Sequence, residues 1–155
     1  MAAQNPVSTH PPAGVMALGY GGLIPFLSLA ALSVWGAAPH AWWVGALQAY
    51  GAVILSFVGA LHWAFAMLLP GLSAPRRRYL YIWSTVPALV GWVAWALPGP
   101  MGLWLLAGGF VVHLANDQAL VRQSALPGWY WTLRLRLTAG AVCSLVLAAI
   151  GLMWV

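Results

Sequence analysis

Leu69-Pro70-Gly71-Leu72-Ser73-Ala74-Pro75-Arg76-Arg77-Arg78 is the stretch on which the reading of this chain turns. It closes an apolar run that begins near Ala41 and precedes another that begins at Tyr79, so turn chemistry and three arginines fall between two hydrophobic segments. Leu-Pro-Gly returns at 97–99 and 126–128, and Ala38-Pro39-His40 makes a similar break. A bilayer crossing needs about 20 predominantly apolar residues. Between the breaks five stretches qualify: about 14–37, 41–69, 79–97, 101–121 and 133–155.

The expected fold is therefore all-α: a polytopic integral membrane protein built as a bundle of five transmembrane helices over residues 14–155. Residues 1–13 are polar and proline-containing and lack the basic leader of a signal peptide. They are read as a disordered N-terminal segment.

The charges orient the bundle. The chain has six basic residues, all arginine, and one acid, Asp117. Arg76, Arg77 and Arg78 follow the second stretch, while Arg122, Arg134 and Arg136 flank the break after the fourth. With five crossings, both groups share a side with the N-terminus, and the opposite loops carry no arginine. The positive-inside rule then makes the N-terminus cytoplasmic and the C-terminus external, in a bacterial cytoplasmic (inner) membrane.

Charged residues make up 5% of the chain and hydrophobic ones 63%, which excludes an ordinary water-facing domain. The net charge of +5 sits at the ends of apolar runs rather than along a polar surface. Anionic lipid head groups are the expected partner and nucleic acid is not. Arg76, Arg77, Arg78, Arg122 and Arg134 are the expected head-group contacts. The single cysteine, Cys143, leaves no internal disulfide. Three aromatics at 129–131 suit the membrane interface, and Leu126, Trp129, Tyr130 and Leu133 have the spacing of a short in-plane helix before the last span.

Small residues mark the faces on which membrane helices meet. The last span offers Arg136, Gly140, Ser144, Ala148 and Gly151, while the second has Ala52, Ser56 and Gly59 leading to His62 or Trp63. Pro25 and Pro87 fall inside spans and predict kinks, with Ser28, Ser84 or Thr85 near enough to satisfy the freed carbonyls.

Depth counted from the span ends places His62 and His113 roughly 10–12 Å inside the cytoplasmic end of their helices. Ser84 and Tyr20 lie at comparable depth, and Asp117 lies nearer the surface. Tyr20, Ser56, His62, Trp63, Ser84, His113, Asp117 and Arg136 form the candidate polar layer. Ionisable groups inside spans are rare and mark functional candidates. The simplest role for Asp117 is a structural ion pair. Arg134 and Arg136 point about 200° apart on a helix. Arg136 shares its face with the small residues, so it is expected to turn inward to Asp117, with Arg134 snorkelling to the head groups.

Two histidines at similar depth also raise bis-histidine haem ligation and a two-histidine, one-carboxylate metal site. The chain contains no Cys-x-x-Cys-His or His-Glu-x-x-His motif, no Gly-x-Ser-x-Gly elbow and no phosphate-binding glycine loop. The expectation is accordingly no catalytic residue, no cofactor and no enzyme.

Several strings together resemble a bacterial family of small multi-span membrane proteins of unknown function, related to mitochondrial transmembrane protein sixty-nine. They are Leu18-Gly19-Tyr20-Gly21-Gly22-Leu23-Ile24-Pro25-Phe26, Tyr50-Gly51-Ala52-Val53-Ile54-Leu55-Ser56-Phe57 with His62-Trp63, Trp83 with Pro87, and Trp129-Tyr130 before Leu133-Arg134 with Leu137-Thr138. The resemblance covers about residues 17–150. It implies a family pattern that includes the His62-Trp63 pair, the acid near 117 and the Leu133-Arg134 step, but not His113. It also implies an inner-membrane protein with no established reaction.

The reading that follows is a non-enzymatic accessory or assembly component, with other membrane subunits as partners. The alternatives are a small oligomeric transporter or channel using the polar layer, and a haem- or metal-binding protein.

Overall fold

A computed structural model describes residues 11–36, 39–124 and 126–153. Most of the expected N-terminal segment and the last two residues of the fifth span lie outside the described residues. Six helices follow one another: α1 Ala13–Gly21, α2 Leu23–Trp35, α3 His40–Leu68, α4 Ala74–Ala96, α5 Pro100–Val121 and α6 Gly128–Gly151. α1 and α2 are two parts of one rod, so five rods stand where five apolar stretches were read. Three of them, Ala13–Trp35, His40–Leu68 and Gly128–Gly151, are long and apolar enough to cross a membrane.

The break at Gly22 has a local cause. Pro25 has no N–H to offer the carbonyl of Gly21, and its ring crowds that carbonyl. The neighbouring carbonyl, Gly22 O, accepts a 2.8 Å hydrogen bond from the Tyr50 hydroxyl on α3. A side chain from the next rod thus stabilises the interruption. The serines do not take that role. Ser28 bonds Ile24 O, Ser84 bonds Tyr81 O and Thr85 bonds Ile82 O, all within their own helices and none at the carbonyl four residues before a proline.

The triple arginine is helical rather than in a loop. Ser73 caps α4, its hydroxyl accepting from Arg76 N at 3.4 Å, and Pro75 occupies the first turn, where a missing N–H costs nothing. Cations at a helix N-terminus oppose the macrodipole. Arg77 offsets this by donating to Ala66 O at the C-terminal end of α3, where the dipole favours positive charge. Arg76 lies over the Tyr79 ring, 5.0 Å from its centroid. At the other end of α4, Gln48 reaches from α3 to Leu97 O at 3.2 Å and Gly99 O at 3.3 Å, satisfying carbonyls beyond the last turn.

The rods close into a ring. α2 packs on α3, α3 on α4, α4 on α5, α5 on α6 and α6 back on α2, with α3 also touching α5 across the centre. Inside are Phe26, Leu47, Leu55, Leu103, Leu106, Phe110 and Leu145, all essentially buried. α3 and α4 approach closely where Gly59 faces Pro87; a Cβ on Gly59 would lie 2.7 Å from Pro87 Cβ. Outward-facing Ile24, Leu27, Val53, Ile82, Leu89 and Trp92 are exposed. An apolar surface of this extent suits lipid.

α6 runs unbroken from Gly128, which absorbs the separate in-plane helix expected over 126–133. Pro127, extended at φ −59° and ψ 139°, sets the start of that helix.

Candidate functional site: a buried His–Asp–Arg centre

His113 and Asp117, one turn apart on α5, face His62 on α3 and Arg134 on α6. All four are buried, with His62 and Asp117 at 0% exposure. Three rods therefore bury polar groups at one level. The Arg134 Nε lies 2.6 Å from Asp117 Oδ2, a charge-assisted hydrogen bond across the α5–α6 interface. Asp117 Oδ1 stands 3.7 Å from His62 Nε2 and 3.8 Å from His113 Nε2.

The expected partner of Asp117, Arg136, is corrected to Arg134. Arg136 is exposed, and its Nη1 stands 3.5 Å from the Tyr20 hydroxyl. The cause is helix geometry. A strict four-residue stripe drifts around a helix of 3.6 residues per turn, so Arg136 lies about 120° from Ala148 while Arg134 lies about 40° from it. Arg134 shares the buried face of Thr138, Ala141, Leu145 and Ala148. Its assignment to head groups fails for the same reason. Arg78 and Arg122 are exposed, as head-group contact requires, while Arg76 and Arg77 are half-buried.

Of the expected polar layer, His62, His113 and Asp117 come together. Ser84 is buried but spends its hydroxyl on its own helix, as Ser56 does on Ala52 O at 2.7 Å. Tyr20 and Trp63 are exposed; Trp63 packs edge-on against Tyr81, with centroids 4.9 Å apart. Two further residues at the centre lie outside the expected polar layer. Trp83 donates from Nε1 to His113 Nδ1 at 3.2 Å. The Tyr130 ring meets Phe65, which in turn meets His62. The spacing of Tyr130 and Arg134, one turn apart, was the available signal for Tyr130.

The Trp83 bond fixes a tautomer. An indole N–H only donates, so His113 Nδ1 is an acceptor and the ring proton resides on Nε2. That nitrogen stands 3.8 Å from Asp117 Oδ1, wider than a direct hydrogen bond. Both ring nitrogens of His62, His113 Nε2 and Asp117 Oδ1 are buried without a hydrogen-bond partner. Buried polar atoms left so are costly.

The bis-histidine haem reading is overturned. The two imidazoles stand edge to face with centroids 4.9 Å apart, which leaves no slot for a macrocycle between them. The metal reading has better spacing, since one ligand atom from each of His62, His113 and Asp117 lies within 4.8 Å of the others. Two features oppose it. Ligating histidines use their second nitrogen as a donor, and here that nitrogen accepts from Trp83. Arg134 already neutralises Asp117, so a divalent ion would leave two uncompensated positive charges in a low-dielectric interior. The centre as arranged is suited to hydrogen bonding.

Comparisons with known proteins place the chain in a family of unknown function. A family model described as protein of unknown function (DUF3429) matches residues 11–150. Transmembrane protein 69 of Xenopus tropicalis is 36% identical over 138 residues, covering 87% of this chain and 53% of the relative. The chain thus spans about half the length of that relative. No solved structure matches.

Proposed function

This chain belongs to the DUF3429 family, and from that premise we propose that it is a five-span protein of the bacterial inner membrane, acting as a non-enzymatic accessory or assembly component of a larger membrane complex. Its N-terminus and arginines face the cytoplasm and its C-terminus faces outward, a disposition supported by the segregation of the six arginines.

One observation carries the non-enzymatic reading. The chain's single acidic side chain is committed to Arg134 at 2.6 Å in a buried position, where it serves as a counter-ion between helices. The accessory role draws on the exposed apolar faces, such as Ile82, Leu89 and Trp92 on α4, which offer area to a neighbouring subunit as readily as to lipid. Native purification in mild detergent tests it. The expected result is a defined larger partner in constant ratio to the chain. Recovery as an isolated monomer under every mild condition would count against the proposal.

A transport reading has one observation in its favour: the unpartnered nitrogens of His62 beside Asp117. Flux into proteoliposomes that is unchanged by His62→Ala would remove it.

A further inference from the structure

Arg136 takes no part in the buried centre, and the surface around it is shaped. A groove of about 420 Å³ follows the junction of α1 and α6, with Met16 and Tyr20 on one wall and Gly128, Trp129, Thr132 and Arg136 on the other. Gly128, Thr132 and Arg136 succeed one another at four-residue steps and all three are exposed. The groove therefore reaches about 12 Å along α6 from its first residue. Arg136 Nη1 donates to the Tyr20 hydroxyl oxygen at the long distance of 3.5 Å. The Tyr20 O–H proton stays free for a further acceptor, because no described residue receives it. An exposed guanidinium and an exposed hydroxyl thus stand side by side in one groove.

We propose that this groove binds one anionic glycerophospholipid of the phosphatidylglycerol class, its phosphate on Arg136 and Tyr20 and its head-group hydroxyls at Thr132. Charge selects the occupant. The chain's single acidic side chain, Asp117, is held by Arg134, so Arg136 has no carboxylate side chain to pair with. A guanidinium set into a bilayer takes a counter-ion, and lipid phosphate is the anion that the membrane itself supplies. The same lack of acid separates one phospholipid from another. A zwitterionic head brings an ammonium that Arg136 repels and no side chain neutralises. A phosphodiester carrying hydroxyls offers acceptor oxygens to Arg136 and Tyr20 and bonds Thr132 without adding positive charge. The half-buried Trp129 ring lies at the start of α6, where an indole suits the head-group level. Diffuse attraction between exposed arginines and an anionic leaflet is general; a groove that chooses among heads is a site. The proposal requires only that the chain lies in a membrane, and it goes beyond the accessory role.

The test titrates the full chain, in a mild uncharged detergent, with phosphatidylglycerol, phosphatidylcholine or inorganic phosphate. Native mass spectrometry counts bound lipid, and thermal melts read the accompanying stabilisation. The expected result is one phosphatidylglycerol held about tenfold more tightly than phosphatidylcholine, with no displacement by millimolar inorganic phosphate. Arg136→Ala should weaken that binding about tenfold or more, as loss of a charge-assisted hydrogen bond implies, while Arg136→Lys should retain part of it. Tyr20→Phe combined with Thr132→Val keeps the net charge and should weaken binding about threefold or more; this pair carries the test should Arg136→Ala fail to fold. Arg78→Gln removes the same charge from α4, which packs on neither α1 nor α6, and should leave binding unchanged. Equal affinity for the two lipids, or binding indifferent to both groove changes, would overturn the proposal. So would an equal loss in Arg78→Gln, which marks diffuse surface charge, or displacement by inorganic phosphate, which marks a site for a soluble anion. Partner co-purification is read separately, so failure of the accessory role leaves this result standing.

Discussion

Arg134 on α6 and Asp117 on α5 form an ion pair at 2.6 Å, buried where α5 and α6 meet. Burial makes the pair costly to break from either side, because a lone charge then remains in the low-dielectric interior. Asp117→Asn should lower stability by about 3–5 kcal/mol, read as a large fall in melting temperature in mild detergent. The double replacement Asp117→Leu with Arg134→Met should recover much of that loss. A single Asp117→Asn variant that melts with the parent protein would show that the pair is not structural.

Arg136 provides the contrast. It is exposed, and its contact with the Tyr20 hydroxyl is long, at 3.5 Å. Arg136→Ala should shift stability by no more than about 0.5 kcal/mol, while Arg134→Ala should destabilise as Asp117→Asn does. Thermal melts of the two variants side by side decide it. Equal losses would return Arg136 to the core.

The mistaken partner shows where sequence stops being legible. Span existence and the break positions follow from composition, because apolar runs and Pro-Gly punctuation are local properties. The rotational setting of each helix is not local. A two-residue choice between Arg134 and Arg136 depends on which face of α6 meets α5, and small residues at strict four-residue spacing pointed to the wrong one. His62, His113 and Asp117 were legible as a group because depth follows from counting along each helix. Trp83 and Tyr130 were not, since an aromatic at a helix end serves lipid anchoring and hydrogen bonding equally well. The triple arginine was misplaced into a loop because Ser73 and Pro75, which start α4 early, also carry turn propensity.

Close helix approach gives a steric prediction. A methyl group on Gly59 would meet the rigid Pro87 ring at 2.7 Å, and a proline ring cannot rotate away. Gly59→Ala should therefore cost about 1–3 kcal/mol by forcing α3 and α4 apart. Gly108→Ala is the control. It is exposed on α5 with nothing within 4 Å of the added carbon, and it should be neutral or mildly stabilising. Equal melting temperatures for Gly59→Ala and the parent would mean that the α3–α4 contact is looser than the geometry indicates.

Orientation yields the last prediction, through labelling of engineered cysteines in a Cys143→Ser background. Ser73 and Pro98 are both exposed, at opposite ends of α4. Under the arginine-in arrangement, Ser73→Cys should resist a membrane-impermeant maleimide in intact spheroplasts and react once the membrane is opened. Pro98→Cys should react in both. Arg76, Arg77 and Arg78 sit immediately beyond Ser73, and each lysine or arginine near an anionic leaflet contributes about 1 kcal/mol of attraction. Replacing all three with glutamine should therefore weaken the bias and make Ser73→Cys partly reactive from outside. Protection of Pro98→Cys together with reactivity of Ser73→Cys in intact spheroplasts would invert the topology.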